Sequence, residues 1–192
     1  MIVVPQKWSH QHLTEVGSTN DTALALIDQA GDDKTDPGGT VVTASVQTKG
    51  RGRFGRSWES PLGNLHASII LMTHEQHDFG QMSYLMACAV GDALAVLVGD
   101  DGLVEHKWPN DILLNGKKIA GILIEARRMS DELTGLVFGV GVNLVAHPSA
   151  PDIEYNATNL EAETSLLMAP EELMRLIQAR LLGLLEVWNI EG

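Results

Sequence analysis

The chain has a single cysteine, Cys88, among 192 residues. No internal disulfide can form, which fits a reducing, cytoplasmic setting. The opening residues MIVVPQKWSH carry neither the charged start nor the long apolar core of a secretory signal. No run approaches the ~18 apolar residues that a membrane span needs, so a membrane is not an expected partner. Positive charge is scarce: 13 Lys and Arg face 25 Asp and Glu, for a net charge of −12. Phosphate backbones reward positive surfaces, so nucleic acid is not an expected partner either. The Walker pattern G-x-x-x-x-G-K-[ST] is missing, as are internal repeats and low-complexity tracts. What remains, 44% hydrophobic and 20% charged residues, is the composition of one globular domain over residues 1–192 with an ample core.

Apolar periodicity gives the outline of that domain. STNDTALALIDQAG reads as a helix capped by Ser18 or Thr19, with Ala23, Leu24, Ile27 and Ala30 on one stripe and Gly31 as its stop. The polar stretch 32–39 is a loop. TVVTASVQT (40–48) and LHASIILM (65–72) read as strands, 82–98 as a mostly buried apolar helix, and 103–108 as a strand ending at Pro109. Residues 111–128 form a hairpin, because Asn115-Gly116 is a two-residue turn signal between apolar strands. Residues 133–145 make another strand, weakened or bulged by its glycines. Residues 169–188 make a helix with Pro170 near its first position and two acids in its first turn. Strands mixed with three helices predict an α+β fold: a mixed, mainly antiparallel sheet with helices packed on it.

Against the shortage of positive charge stands KGRGRFGRSW. Lys49, Arg51, Arg53 and Arg56 are four of the 13 basic residues, with no acid among them. Gly50, Gly52 and Gly55 spell G-x-G-x-x-G, which in a dinucleotide fold needs a strand before and a helix after. The strand is there. The following SWESPLGN, with Pro61 and Gly63, is no helix, and the chain has a hairpin where a parallel βαβ unit is required. A solvated basic turn is the plain alternative. The residue types favour an anion instead: glycines admit backbone N–H groups close to a ligand, and guanidinium forks suit phosphate or carboxylate. In an extended loop, alternation would put Arg51 and Arg53 on one side.

A second polar group lies in HKWPNDILLNGKKIAGILIE. Pro109 fixes its own φ and drives Trp108 toward an extended shape, so Asn110 and Asp111 emerge at a strand boundary. Asp111 could hold a hard cation such as Mg²⁺ together with phosphate oxygens, or simply open the hairpin through an Asx turn. Lys117 and Lys118 fall on opposite faces of one strand. One is solvated; the other can face the ligand side, where a fixed cation stabilises developing negative charge.

GRGRFGRSW, KWPND and KKIAGILIE, in this order and spacing, resemble the catalytic domain of biotin protein ligases. STN at 18–20, Gln47, GVGVNL at 139–144 and ATNL at 157–160 extend the resemblance over about residues 14–188. It implies a biotin/lipoate ligase-like catalytic domain and a two-step reaction. The biotin carboxylate attacks the α-phosphate of ATP, with Mg²⁺, to give biotinyl-AMP and pyrophosphate. A lysine of a biotin-acceptor protein, such as the biotin carboxyl carrier protein of acetyl-CoA carboxylase, then takes the biotinyl group. By position in the resemblance, Ser18, Thr19, Asn20 and Gln47 line the ureido end of biotin. Gly50, Arg51, Gly52 and Arg53 belong to a loop that closes over biotin and the adenylate and is mobile when empty. Arg56 and Trp58 fall on the nucleotide side. Lys118, rather than Lys117, stands at the biotin carboxylate and α-phosphate. Asn110, Asp111 and Asn143 belong to the nucleotide or metal side. Lys118, Arg53 and Arg51 are the catalytic residues that this implies.

The resemblance also sets alternatives. The family usually carries a C-terminal β-barrel, whereas this chain stops at Gly192. A module that holds biotin or biotinyl-AMP without completing transfer is therefore the second reading. A lipoate-type acyltransferase, which should lack the paired motifs, is the third. No DNA-binding domain precedes Ser18, so a repressor role is not expected. A homodimer through an exposed sheet edge is a further expectation from relatives. Cys88 reads as a buried small hydrophobe. His10/His12 and His74/His77 read as solvated, because no cysteine or acidic frame accompanies them. Trp8 and Trp188 read as packing residues.

Overall fold

A computed structural model of the chain describes residues 1–74, 79–99, 103–148 and 156–191. Eight strands make one sheet: β1 (Ile2–Val3), β2 (Ser9–Val16), β3 (Thr40–Gln47), β4 (Leu65–Thr73), β5 (Val104–Lys107), β6 (Asp111–Leu114), β7 (Lys117–Arg128) and β8 (Thr134–Val142). Their order is β2-β3-β4-β8-β7-β6-β5, with β1 added beside β4. β2 and β3 run parallel; the other described pairs are antiparallel. The helices are α1 (Thr19–Asp33), α2 (Phe79–Val98), α3 (Leu160–Thr164) and α4 (Pro170–Glu191). The α+β reading with a mixed, mainly antiparallel sheet therefore holds.

The sheet separates two apolar clusters. On one face, Ala23 and Ile27 of α1 meet Val42, Ile70 and Val137. On the other, α2 and α4 bring Met82, Met86, Leu173 and Ile177 against Val41, Ile69, Leu71 and Phe138. Alternation sorts the strand residues between the faces, and β4, covered on both, is buried along its whole length. Trp8 and Trp188 pack at the margin of the larger cluster, as expected. Pro170 opens α4, with Glu171 and Glu172 in its first turn.

Several expectations need correction. β2 was not legible because as an edge strand it leaves most side chains exposed, so apolar alternation is lost. α1 continues through Gly31 to Asp33 and ends at Lys34, in the left-handed region at φ 55°. The Ser18 side chain makes no capping bond. α3 was missed too; it is a short helix capped by Asn159, whose Oδ1 accepts from Ala162 N at 2.8 Å. β8 is not bulged: it keeps continuous register with β4 and β7. The irregularity lies in β6, between Ile112 and Leu113. Finally, the segment Gly80–Val98, with mean hydropathy 1.6, is long and apolar enough to cross a membrane, contrary to the sequence reading; 56% of it is buried, as suits a core helix.

Candidate active site

α1 covers only part of its face of the sheet. Beyond its N-terminus lies a cleft of about 860 Å³. Small residues hollow its floor. A Cβ on Gly139 would stand 2.5 Å from Asn20 Oδ1, and one on Gly141 would stand 2.5 Å from Trp58 Cε2. The glycines of β8 are thus contact points for side chains arriving from other elements, not weaknesses of the strand. Two residues of strand rise separate them, roughly 7 Å.

The end over Gly139 is neutral and buried. Ser18, Thr19 and Asn20 are each 3% exposed. Gln47, at the end of β3, accepts on Oε1 from Thr19 N at 2.8 Å and from the Thr19 hydroxyl at 3.1 Å. The Gln47 side chain therefore satisfies the first N–H of α1, one of those that a helix start leaves without an intrahelical partner. Ser68 of β4 lies 2.6 Å from Asn20 Oδ1 and 2.8 Å from Thr19 Oγ1. Gln47 Nε2 donates to Ser60 Oγ at 2.9 Å, and Asn20 Nδ2 donates to Glu125 Oε2 at 2.7 Å.

The end over Gly141 is charged. The arginine run is a tight hairpin, not an extended loop. Trp58 N donates to Gly50 O at 2.9 Å, Gly52 N donates to Arg56 O at 2.7 Å, and Arg53–Gly55 form a 3-10 turn. Its tip needs positive φ at Phe54 (57°) and Gly55 (72°). At Gly50 a Cβ would come within 2.5 Å of Trp58 O, so the two arms can cross only with glycine there. Arg51 and Arg53 both face this cleft but engage different partners there. Arg51 Nη2 lies 2.7 Å from Asp21 Oδ1 and 2.7 Å from Glu125 Oε2. The Asp21 hydrogen bond and the Glu125 charge hold this guanidinium above its usual range, against the opposing effect of burial. Arg53 Nη1 donates to Asn110 Oδ1 at 3.0 Å.

Lys118 enters from the floor. As alternation requires, Lys117 turns away to Glu163, with Nζ 2.8 Å from Oε1, while Lys118 Nζ lies 2.7 Å from Asp111 Oδ1 and 5.6 Å from the centre of the Trp58 ring. Asp111 Oδ1 is screened from solvent and gains charge contact there but no well-directed hydrogen bond. The Trp58 indole N–H is likewise buried with no acceptor among the described residues. The main chain of Lys118 is fastened on its outer edge: its N–H donates to Asn156 O and its carbonyl accepts from Thr158 N, both at 2.9 Å. The Asn115-Gly116 turn has the expected positive φ at both residues, 52° and 72°. The Trp108–Pro109 bond is cis.

Ser18, Thr19, Asn20, Gln47, Arg51, Gly52, Arg53, Arg56, Trp58, Asn110, Asp111, Lys118 and Asn143, each named from the sequence, all line this one cleft. Gly50 stands behind it, holding the hairpin. The Asn143 side chain is engaged in structure, donating to Thr158 O at 3.0 Å. Sequence reasoning missed Ser68 and Glu125. Both had a signal: Ser68 is a polar residue inside an apolar strand, and Glu125 closes the quoted KKIAGILIE. Cys88 is only partly buried, not fully as expected; burial first, and Asp92 second, push its thiol up. His10 and His12 are exposed on β2, where the His12 ring meets the hydroxyls of Thr43 and Ser45. His74 meets Glu132 O, and His77 lies outside the described residues.

The sequence profile of the biotin/lipoate A/B protein ligase family matches residues 17–143. The biotin–[acetyl-CoA-carboxylase] ligase of Paracoccus denitrificans is 36% identical over 169 residues, covering 86% of this chain and 68% of that protein. The bifunctional ligase/repressor of Bacillus subtilis is 39% identical over 115 residues, and the match spans only 35% of its length. Among solved structures, a biotin protein ligase from Aquifex aeolicus in complex with biotin and ATP superposes with a TM-score of 0.74 at 29% identity, covering 93% of this chain and 70% of that one. One from Leishmania major in complex with biotinyl-5-AMP gives 0.74 at 28% identity, covering 91% and 73%.

Proposed function

Because this chain belongs to the biotin/lipoate A/B protein ligase family, on its biotin protein ligase branch, we propose that its cleft joins biotin to ATP and passes the biotinyl group to an acceptor lysine. The observation that carries this reading is the division of one cleft into a neutral buried end and a cationic end. A ligand with a neutral polar head and an anionic tail on the order of 7 Å away suits it, judging by the strand rise between Gly139 and Gly141.

The ureido ring of biotin pairs with Ser18, Thr19, Asn20 and Gln47. Its carboxylate reaches Lys118 and Arg53, where a carboxylate oxygen attacks the α-phosphorus of ATP. The bond from that phosphorus to the bridging oxygen breaks, and pyrophosphate leaves. Charge develops on the phosphoryl oxygens, so the fixed cations Lys118 and Arg53 are the economical catalysts. Mg²⁺ enters with ATP as part of the substrate. Asp111 is one carboxylate with no cluster of three His, Cys, Asp or Glu around it among the described residues. That set suits Mg²⁺ only when phosphate oxygens complete the shell. Lys118 then shifts from Asp111 toward the phosphate. In the second step the neutral amine of the acceptor lysine attacks the carbonyl carbon of biotinyl-AMP. The amide forms, AMP leaves, and the amine proton passes to solvent. A carboxyl carrier domain of the kind served by acetyl-CoA-carboxylase ligases is the acceptor.

The test mixes the chain with labelled biotin, Mg·ATP and such an acceptor domain. Pyrophosphate release with labelled acceptor is expected. Pyrophosphate without label would reduce the chain to an adenylate-forming module, and neither product would remove the ligase reading.

A further inference from the structure

We infer that Glu125 is a positioning residue that sets the donor and acceptor pattern of the neutral end and ties that end to the arginine hairpin; the inference rests on the biotin ligase reading of the cleft. Alternation along β7 sends Ile122 and Ile124 toward the α2/α4 cluster and brings Gly121 and Leu123 to the cleft. Glu125 follows in the same register. One oxygen, Oε2, accepts from Asn20 Nδ2 and from Arg51 Nη2, both at 2.7 Å.

An ionised carboxylate only accepts. It therefore draws the nitrogen of the Asn20 amide and leaves Oδ1 to the Ser68 hydroxyl, 2.6 Å away. Asn20 is almost fully buried, so its amide has no water to adapt to. With a neutral amide at 125 the constraint disappears, because glutamine can donate as well as accept and either orientation of Asn20 is satisfied. A ring presenting fixed N–H and C=O groups would then meet the wrong pattern part of the time. The same oxygen grips Arg51 near the start of the hairpin, with Asp21 as a second anchor. Arg51 is thus already engaged by two carboxylates, whereas the hydrogen bond described for Arg53 goes to the neutral Asn110, a partner that an incoming phosphate can replace.

The experiment titrates biotin into the parent chain and Glu125→Gln by calorimetry and measures the adenylation rate at saturating biotin. The biotin Kd should rise roughly tenfold, the scale of one buried hydrogen bond lost. The Mg·ATP Kd and the maximal adenylation rate should move by less than about threefold. Ser68→Ala should show a similar loss. The double variant should be little worse than either single one, because both break one chain of bonds. Parent-like biotin affinity in Glu125→Gln, a loss confined to the maximal rate, or losses that multiply in the double variant would each overturn the inference. A parent chain that binds no biotin would sink the ligase reading instead. Melting curves check that each variant folds. If Glu125→Gln does not, Glu125→Asp takes its place: it keeps the charge but draws back from both 2.7 Å contacts, so the same split is expected and unchanged biotin affinity refutes the idea.

Discussion

Asn20, Ser68 and Thr19 are buried neutral groups that, with the partly buried Gln47, hold one another by hydrogen bonds, whereas a few ångströms along the same floor Lys118, Asp111 and Arg51 are partly exposed charges held by ion pairs and Arg53 rests on the neutral Asn110. The neutral end is complete before a ligand arrives, because an unpaired buried polar atom costs ~1–3 kcal/mol and the fold leaves few of them. The charged end is provisional. Each of its cations leans on a partner that a phosphate or carboxylate can replace, and a half-exposed pair gives up little when it is exchanged. One end selects; the other reacts.

This contrast can be broken most sharply at the charged end. Lys118→Ala should lower adenylate formation by ~10²-fold or more, the scale of losing a preorganised charge stabiliser. Biotin affinity in the absence of ATP should fall much less. Pyrophosphate release at the parent rate would refute the division. Gly139→Ala attacks the other end. Its Cβ falls 2.5 Å from Asn20 Oδ1 and 3.0 Å from Asn20 Cγ. Asn20 must leave its bonds, so biotin affinity should drop roughly tenfold while the rate at saturating biotin is nearly kept. A calorimetric Kd equal to the parent's would mean that Asn20 does not select the ring.

The sequence exposed these two ends unequally. The charged end announced itself because arginines and glycines crowded together are anomalous in a chain of net charge −12. The turn at Asn115-Gly116 and the opposite facing of Lys117 and Lys118 followed from rules one or two residues long. What stayed hidden depended on partners far away in the chain. Glu125 meets Asn20 across 105 positions, and Ser68 meets it across 48. β2 gave no alternation because its neighbour covers an edge and not a face. The hairpin of residues 50–58 leaves no local mark in the sequence, because nothing nearby reveals that Gly52 N and Arg56 O bond across it. The glycines of β8 looked like flaws because the side chains that fill their space belong to α1 and the arginine hairpin.

A smaller effect tests whether Arg53, besides its part in the first step, also holds the adenylate in the charged end. Arg53 touches only the neutral Asn110 among the polar contacts described for its guanidinium. Arg53→Ala should therefore cost little stability but let biotinyl-AMP escape several-fold faster, a change of about 1 kcal/mol. Release of labelled adenylate from the isolated complex measures it. Retention as long as in the parent would assign the closing role elsewhere, with Arg56 next in line.

The smallest effect concerns what anchors Lys118 from behind. Glu163 accepts from Lys117 Nζ at 2.8 Å, Thr158 Oγ1 at 2.6 Å and Asn115 Nδ2 at 2.9 Å. Lys117 first, then Thr158 and Asn115, hold its carboxyl down to about 2, from an ordinary value of 4.5. A depressed folded-state pKa means the unfolded chain binds the proton more readily. The stabilisation is therefore fully present above pH 4.5 and drains away as the pH falls toward 2. Glu163→Gln removes that titration, so the difference in melting temperature between parent and variant should be largest near neutrality and shrink below about pH 4. Because Thr158 also grips the backbone of Lys118, the variant should loosen the charged end first. Amide exchange should accelerate at Lys118 and Thr158 while Asn20 and its neighbours stay protected. Equal acceleration at both ends would show that the cleft is one cooperative unit, and that the division between its selecting and reacting halves does not extend to their stability.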